Sequence, residues 1–105
     1  MQIQVNSDSS VGVDRALSTI VEDNINRVLA RFAGQISRVE VHLSDVNAGK
    51  SGNQDKRCLI ETRPKGLDPA AVTEEAATVE MAVQGAAQKM ERLLSSRFGR
   101  LEERR

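Results

Sequence analysis

The chain has almost no aromatic side chains, with two Phe, no Tyr and no Trp among 105 residues. Its core must therefore be aliphatic, and stacking of unpaired bases on aromatic rings, a common way of holding single strands, is nearly excluded. Only Phe32 and Phe98 could stack in this way, and both fall at or near positions predicted to be buried in helices. Cysteine is equally scarce. Because Cys58 is the only one, an internal disulfide is excluded and a reducing compartment is favoured.

Long apolar runs and a net charge are missing as well. No segment approaches the roughly 20 apolar residues of a membrane-spanning helix, and the first residues alternate rather than form a signal peptide. We therefore expect a cytoplasmic protein. The net charge is zero, but residues 66–88 carry four anions and no cation, whereas residues 89–105 carry six cations and three anions. Because charges are screened beyond about 8 Å, one basic surface can bind phosphates even when the whole chain is neutral. Zero net charge therefore does not exclude a nucleic-acid partner.

The first third of the chain predicts a strand and then a helix. Met1–Asn6 alternates strictly between apolar and polar residues, as in a half-buried strand. A long helix is expected from about Val13 to Ala33, capped by oxygens of the segment Ser7–Ser10 and ended by Gly34 in a left-handed conformation. Its apolar face consists of Leu17, Ile20, Val21, Ile25, Val28 and Phe32.

Two further strands flank a polar loop. In Ile36–Ser44 the inward residues are Val39, Val41 and Leu43, and the outward ones are Arg38, Glu40 and His42. Lys56–Arg63 is predicted to run antiparallel to it across the loop Asp45–Asp55, with Cys58, Ile60 and Thr62 facing the core. Pro64-Lys65-Gly66 then turns the chain. Asp68–Ala77 is ambiguous, because Ala and Glu favour a helix whereas Val72-Thr73 favours a fourth strand.

The last quarter of the chain, Val79–Leu101, predicts a helix that Thr78 caps. Val83, Ala86, Ala87, Met90, Leu94 and Leu101 have the spacing of one buried face. At about 100° per residue, Lys89, Arg92, Ser96 and Arg100 form a second stripe beside that face. Glu80, Glu91 and Glu102 gather on the opposite flank. One side of the helix could therefore meet an anion, although a solvated face of mixed charge is the more common explanation of such a pattern.

No catalytic or metal-binding group of residues is apparent. His42 is the only histidine, and the sequence places no Cys, second His or paired carboxylate in register with it. Gly49-Lys50-Ser51 lacks the earlier glycine of a phosphate-binding loop and is rejected as one. Cys58 is interpreted as a buried, unreactive thiol. We therefore expect neither an enzyme nor a cofactor. The two helices need one sheet face to cover, which predicts a two-layer α/β sandwich.

The order of elements and several segments resemble one family. Residues 81–90, MAVQGAAQKM, resemble the family pattern at the start of the last helix, and Ala16-Leu17, Phe32 and Ile36–Leu43 also fit. The chain resembles the short form of the ribosome hibernation promoting factor and ribosome-associated inhibitor family over residues 1–101, leaving a charged tail at 102–105. The resemblance implies a β-α-β-β-β-α fold, a four-stranded mixed sheet with both helices on one face. It also makes Ala70–Ala76 the fourth strand.

The resemblance implies a function too. Family members bind the small ribosomal subunit under stress or in stationary phase, occupy the channel for messenger and transfer RNA, and silence translation. Their contacts are chiefly from Lys and Arg to ribosomal RNA phosphates. The matching positions are Arg27, Lys89, Arg92, Arg97 and Arg100, and we expect a monomer when the protein is free. The alternative is a diverged module of the same fold that binds a protein through the acidic surface of residues 66–88.

Overall fold

The computed structural model describes residues 1–8, 11–46 and 55–103. Within them the order is β-α-β-β-β-α, as predicted, with a short 3₁₀ segment, Ala30–Gln35, after the first helix. The predicted loop residues 47–54, the Gly49-Lys50-Ser51 sequence and residues 104–105 of the predicted tail lie outside the described residues. The elements are β1 (Gln2–Ser7), α1 (Arg15–Val28), β2 (Ile36–Asp45), β3 (Lys56–Pro64), β4 (Ala70–Ala76) and α2 (Val79–Glu103).

The four strands form one mixed sheet in the order β1-β2-β3-β4. β1 is parallel to β2, whereas β2 with β3 and β3 with β4 are antiparallel. The register aligns Val5 with Val41, Val41 with Ile60, and Ile60 with Val72 across the whole sheet. This row of aliphatic residues follows from the period-two alternation, because matched registers bring all inward positions to one face.

Both helices cover that inward face, so the predicted two-layer sandwich is confirmed. Val39, Val41 and Leu43 from β2 and Cys58, Ile60 and Thr62 from β3 are buried. They belong to or border a single core that also contains Val21 and Ile25 of α1 and Val83, Met90 and Leu94 of α2. The Thr62 hydroxyl donates a hydrogen bond to Met90 Sδ at 3.4 Å, which gives a partner to a polar side chain buried between sheet and helix.

The first helix is shorter than the sequence predicts. It begins at Arg15, because Asp14 Oδ1 accepts the Leu17 backbone N–H at 2.8 Å and serves as the N-cap. The cap was expected within Ser7–Ser10, of which Ser9 and Ser10 lie outside the described residues. The α-helix ends at Val28 and the chain continues as the 3₁₀ segment. Gly34 does not adopt the predicted left-handed conformation, since among the described residues only Gly66 has a positive φ, of 79°.

Ile20 is the second correction on this helix. It was expected in the buried face, but half of its surface is exposed. At about 100° per residue, Ile20 lies a quarter-turn or more from Val21 and Ile25, the fully buried centre of the face. The sheet covers that centre, and Ile20 is left at the margin beside α2.

The ambiguous segment is a strand. Ala70–Ala76 pairs with β3 from Thr62↔Ala70 to Lys56↔Ala76, so it is the fourth strand that the resemblance implied, and it lies at one edge of the sheet. Gly66, with its positive φ, lies in the turn before it. Thr78 caps α2 as predicted, its Oγ1 accepting the Met81 N–H at 3.1 Å. The helix continues to Glu103.

Candidate nucleic-acid interface

The predicted site residues are spread over both helices. Arg27 lies in the last turn of α1, and the other four lie on α2 from its middle to its last turn. The side chains of Arg27, Arg92, Arg97 and Arg100 form no ion pair or hydrogen bond with the described part of the chain. The fifth, Lys89, is held within the fold.

Lys89 is bound to the edge strand β4. Its ammonium group lies 2.9 Å from Glu74 Oε1 and donates to the Thr73 carbonyl oxygen at 2.8 Å. The Lys89 side chain is 43% exposed and that of Glu74 is 33% exposed, so the ion pair lies at the surface. Because Glu74 already balances the charge of Lys89 and Thr73 already accepts one of its hydrogen bonds, Lys89 should bind an external phosphate more weakly than an unpaired lysine.

Arg92 points away from the core. At about 100° per residue it lies opposite the helix face of Val83, Met90 and Leu94, and it is exposed. It is therefore the predicted residue best oriented for contact with a large anionic surface above the helices.

Arg97 and Arg100 are brought together at the end of the molecule. They line a groove of about 500 Å³ between the last turns of α2 and the turn before β4, together with Leu67, Asp68, Pro69 and Leu101. Arg100 also lies in the last turn of α2, where a cation is favoured by the partial negative charge of the helix end. Asp68 contributes a carboxylate to the lining of the same groove.

Arg27 lies on the other side of α2. It lines a second groove, of about 410 Å³, with Ile20, Asp23, Asn24 and Gln84. The flank of α2 that faces α1 is the one predicted to be acidic: Glu91 lies 3.4 Å from Arg31, and Ser95 accepts a hydrogen bond from Arg31. The body of α2 thus separates Arg27 from Lys89 and Arg100, and the basic positions do not form one continuous stripe.

Arg31 is a basic residue that the site prediction omitted. Its guanidinium lies 4.7 Å from the centre of the Phe32 ring, and its side chain is 61% exposed. Phe32 in turn stacks on Phe98, with ring centres 5.6 Å apart. The sequence places Arg27 and Arg31 on one flank of the predicted apolar face, but the structure puts Arg31 in the 3₁₀ segment after α1. Its contact with Glu91 could not be read from the sequence.

The face of the sheet away from the helices is polar and of mixed charge. Arg38 pairs with Glu40 at 3.0 Å and donates to Gln4, while Arg57 and Arg63 are exposed. Glu40, His42 and Glu61 are close enough for one ligand atom of each to lie within 4.8 Å of the others. The register places Leu59 rather than a carboxylate opposite His42, but Glu61, two residues further along β3, lies 3.2 Å from the imidazole, a contact that the sequence did not predict.

The single thiol offers no chemistry at neutral pH. Cys58 is fully buried, and loss of solvation raises its pKa from 9.0 to about 12. It therefore stays protonated at neutral pH, where a nucleophile or metal ligand would need the thiolate. No helix in the described part of the chain is both long and apolar enough to cross a membrane.

Comparisons with known proteins place the chain in a family. The family described as sigma 54 modulation protein / S30EA ribosomal protein matches residues 3–102. The crystal structure of the Thermus thermophilus Protein Y N-terminal domain is similar, with 25% identity and a TM-score of 0.70. The similarity covers 89% of this chain and 94% of that one.

A ribosomal subunit interface protein from Coxiella burnetii shares the fold, with a TM-score of 0.75 and 19% identity over 94% of this chain and 99% of that one. No curated protein matches in the corresponding sequence search. The family match covers nearly every described residue, from β1 to the end of α2. The chain belongs to the sigma 54 modulation protein / S30EA ribosomal protein family.

Proposed function

We propose that the chain is a ribosome-associated translation inhibitor of the hibernation-factor type, acting in the cytoplasm. It binds ribosomal RNA of the small subunit in the channel for messenger and transfer RNA, and it does so under stress or in stationary phase. Family membership and the similarity to Protein Y support ribosome association. Inhibition then needs no chemistry, because a folded domain in the channel excludes the other ligands.

The main support for this proposal is a set of arginines on α2 whose side chains have no ionic partner among the described residues. Arg92, Arg97 and Arg100 have no ionic partner in the described part of the chain, and α2 is anchored by seven buried side chains. The side of the helix from which each arginine projects is therefore fixed before binding. Arginine also suits phosphate, since its planar guanidinium can donate two parallel hydrogen bonds.

The test is a titration of purified small subunits with the wild-type chain and an Arg92→Gln/Arg100→Gln variant at three salt concentrations. Each phosphate contact contributes about −0.7 to −0.9 to the slope of log affinity against log salt. The double variant should flatten that slope by about 1.5 units while its thermal stability stays close to wild type, since exposed charges contribute little to folding.

A matched control is available on the other face of the protein. Arg57→Gln/Arg63→Gln removes the same two charges from the open side of the sheet, where both residues are exposed. It should leave the slope unchanged. Equal effects of the two double variants would mean that only net charge matters, and would remove the α2 residues from the site. Failure of the wild-type chain to bind subunits would refute the proposed function and favour the protein-binding alternative.

A further inference from the structure

The open face of the sheet brings three potential metal ligands to one point. Glu40 and His42 alternate on β2, and both project away from the helices. Antiparallel pairing places Glu61 of β3 directly opposite Glu40. One ligand atom from each of Glu40, His42 and Glu61 lies within 4.8 Å of the other two. The ligands come from the two central strands of the sheet, which are more rigid supports than loops.

The distance between His42 and Glu61 fits two ligands of one shared cation. His42 Nε2 lies 3.2 Å from Glu61 Oε1. Nε2 is shielded from solvent and has no hydrogen-bond partner among the described residues. Two ligands of a tetrahedral Zn²⁺ with bonds of about 2.0–2.1 Å are about 3.3 Å apart and both point at the ion rather than at each other.

The charges around the site also favour a cation. Glu40 and Glu61 face each other across the strand pair, an arrangement that destabilises a sheet when both are ionised. Arg38, 3.0 Å from Glu40 Oε1, offsets one of these charges. A carboxylate has two oxygens, so Arg38 can hold one of them while the other binds an ion. Arg38 would then orient a ligand, as hydrogen-bonding groups around metal sites commonly do.

We propose that Glu40, His42 and Glu61 form a binding site for a divalent transition-metal ion, with Zn²⁺ as the ion best suited to the set. One imidazole and two carboxylates are a mixed nitrogen and oxygen donor set that Zn²⁺ accepts, whereas Mg²⁺ and Ca²⁺ prefer oxygen alone. Three protein ligands leave a fourth position for water, because α1 and α2 pack on the opposite face of the sheet. The bound ion would link β2 to β3 at the centre of the sheet.

The experiment is a titration of the tag-free protein with Zn²⁺ alone, followed by calorimetry, for the wild type and for His42→Ala, Glu40→Gln and Glu61→Gln. The wild type should bind one equivalent of Zn²⁺. Each substitution should weaken binding by at least about tenfold, because loss of even a group that hydrogen-bonds to a metal ligand weakens metal binding by about 10–100-fold. Glu75→Gln is the control, since Glu75 is an exposed carboxylate of β4 on the same open face of the sheet as Glu61. It should bind Zn²⁺ as the wild type does.

Substitution of Co²⁺ for Zn²⁺ gives a second readout. A four-coordinate site with an imidazole ligand should give visible absorption bands that are lost in His42→Ala. Buried Cys58, with its raised pKa, should add no thiolate band. If all four variants bind like the wild type, or if Glu75→Gln is as weak as Glu61→Gln, the binding is diffuse and the site does not exist. The measurement uses the isolated protein and does not depend on ribosome binding.

Discussion

Gly85 of α2 lies directly beneath the Glu74 side chain of β4. A Cβ atom at residue 85 would come within 2.9 Å of three atoms of that side chain. The missing Cβ lets the Glu74 carboxylate lie against α2, where it meets Lys89 one turn further along the helix. Lys89 also covers the Thr73 carbonyl on the edge strand. The last strand is therefore held against the last helix by contacts of Gly85, Glu74 and Lys89.

The first prediction concerns the space between Gly85 and Glu74. Replacing a helix-interior glycine by alanine stabilises a helix by about 0.8–1.0 kcal/mol. Gly99→Ala should show a gain of that order, because a Cβ there meets nothing within 4 Å. Gly85→Ala should show little or no gain, because Glu74 must move aside and release Lys89.

A double-mutant cycle in urea separates the two effects. In a Glu74→Ala background, Gly85→Ala should recover most of the stabilisation seen for Gly99→Ala. An equal gain from Gly85→Ala with and without Glu74 would contradict the close approach of these two residues.

The second prediction separates Lys89 from Arg92. Lys89→Gln removes an exposed ion pair and a hydrogen bond, and it should reduce the free energy of unfolding by about 1 kcal/mol. Its effect on the salt dependence of small-subunit binding should be less than half that of Arg92→Gln, because the Lys89 charge is already matched by Glu74. Arg92→Gln should leave stability within about 0.5 kcal/mol of wild type. If Lys89→Gln instead changed the salt dependence more than Arg92→Gln, Lys89 would have to be a ribosome-contacting residue.

The third prediction concerns the start of α1. Asp14→Ala should reduce stability by about 1 kcal/mol, since it removes the acceptor of the Leu17 N–H and leaves a helix donor unsatisfied. Asp23→Ala is the control. It removes the same charge from an exposed position within α1, and its effect should be within about 0.5 kcal/mol. Matching losses from both variants, measured by thermal unfolding, would argue against the capping role.

The fourth prediction concerns pH and Cys58. Burial raises the pKa of its thiol from 9.0 to about 12. Below 9.0 the thiol is protonated in both states and has no effect on the pH dependence of stability. Between 9.0 and 12 the unfolded chain loses the proton while the folded chain keeps it, so stability should fall as pH rises.

Comparison with Cys58→Ala isolates this contribution. The variant is expected to be less stable at every pH because of the space left in the core, but its stability should fall less steeply with alkaline pH than that of the wild type. The same burial predicts slow labelling of the native thiol by a maleimide. Parallel stability curves for the two proteins, or labelling as fast as that of a free peptide, would show that the thiol is accessible.

Periodicity within single elements was enough to predict most of the architecture. The alternation of Ile36–Ser44 and Lys56–Arg63 identified β2, β3 and their buried residues, because successive side chains of a strand face opposite sides. The spacing of Val83, Met90 and Leu94 identified the buried face of α2 in the same way. The pattern in Ala70–Ala76 did not decide between helix and strand, since its alanines and glutamates fit either, and the family resemblance was needed there.

The tertiary structure decided what depends on neighbours. The exposure of Ile20 depends on how far the sheet extends beneath α1, and the state of Lys89 depends on the Glu74 side chain that Gly85 admits. The meeting of His42 with Glu61 depends on the register between β2 and β3. A sequence specifies which side of its own element a residue occupies through local backbone geometry. Which group lies opposite is set by packing between elements distant in the chain, and so the partners of His42 and Lys89 emerged only from the folded structure.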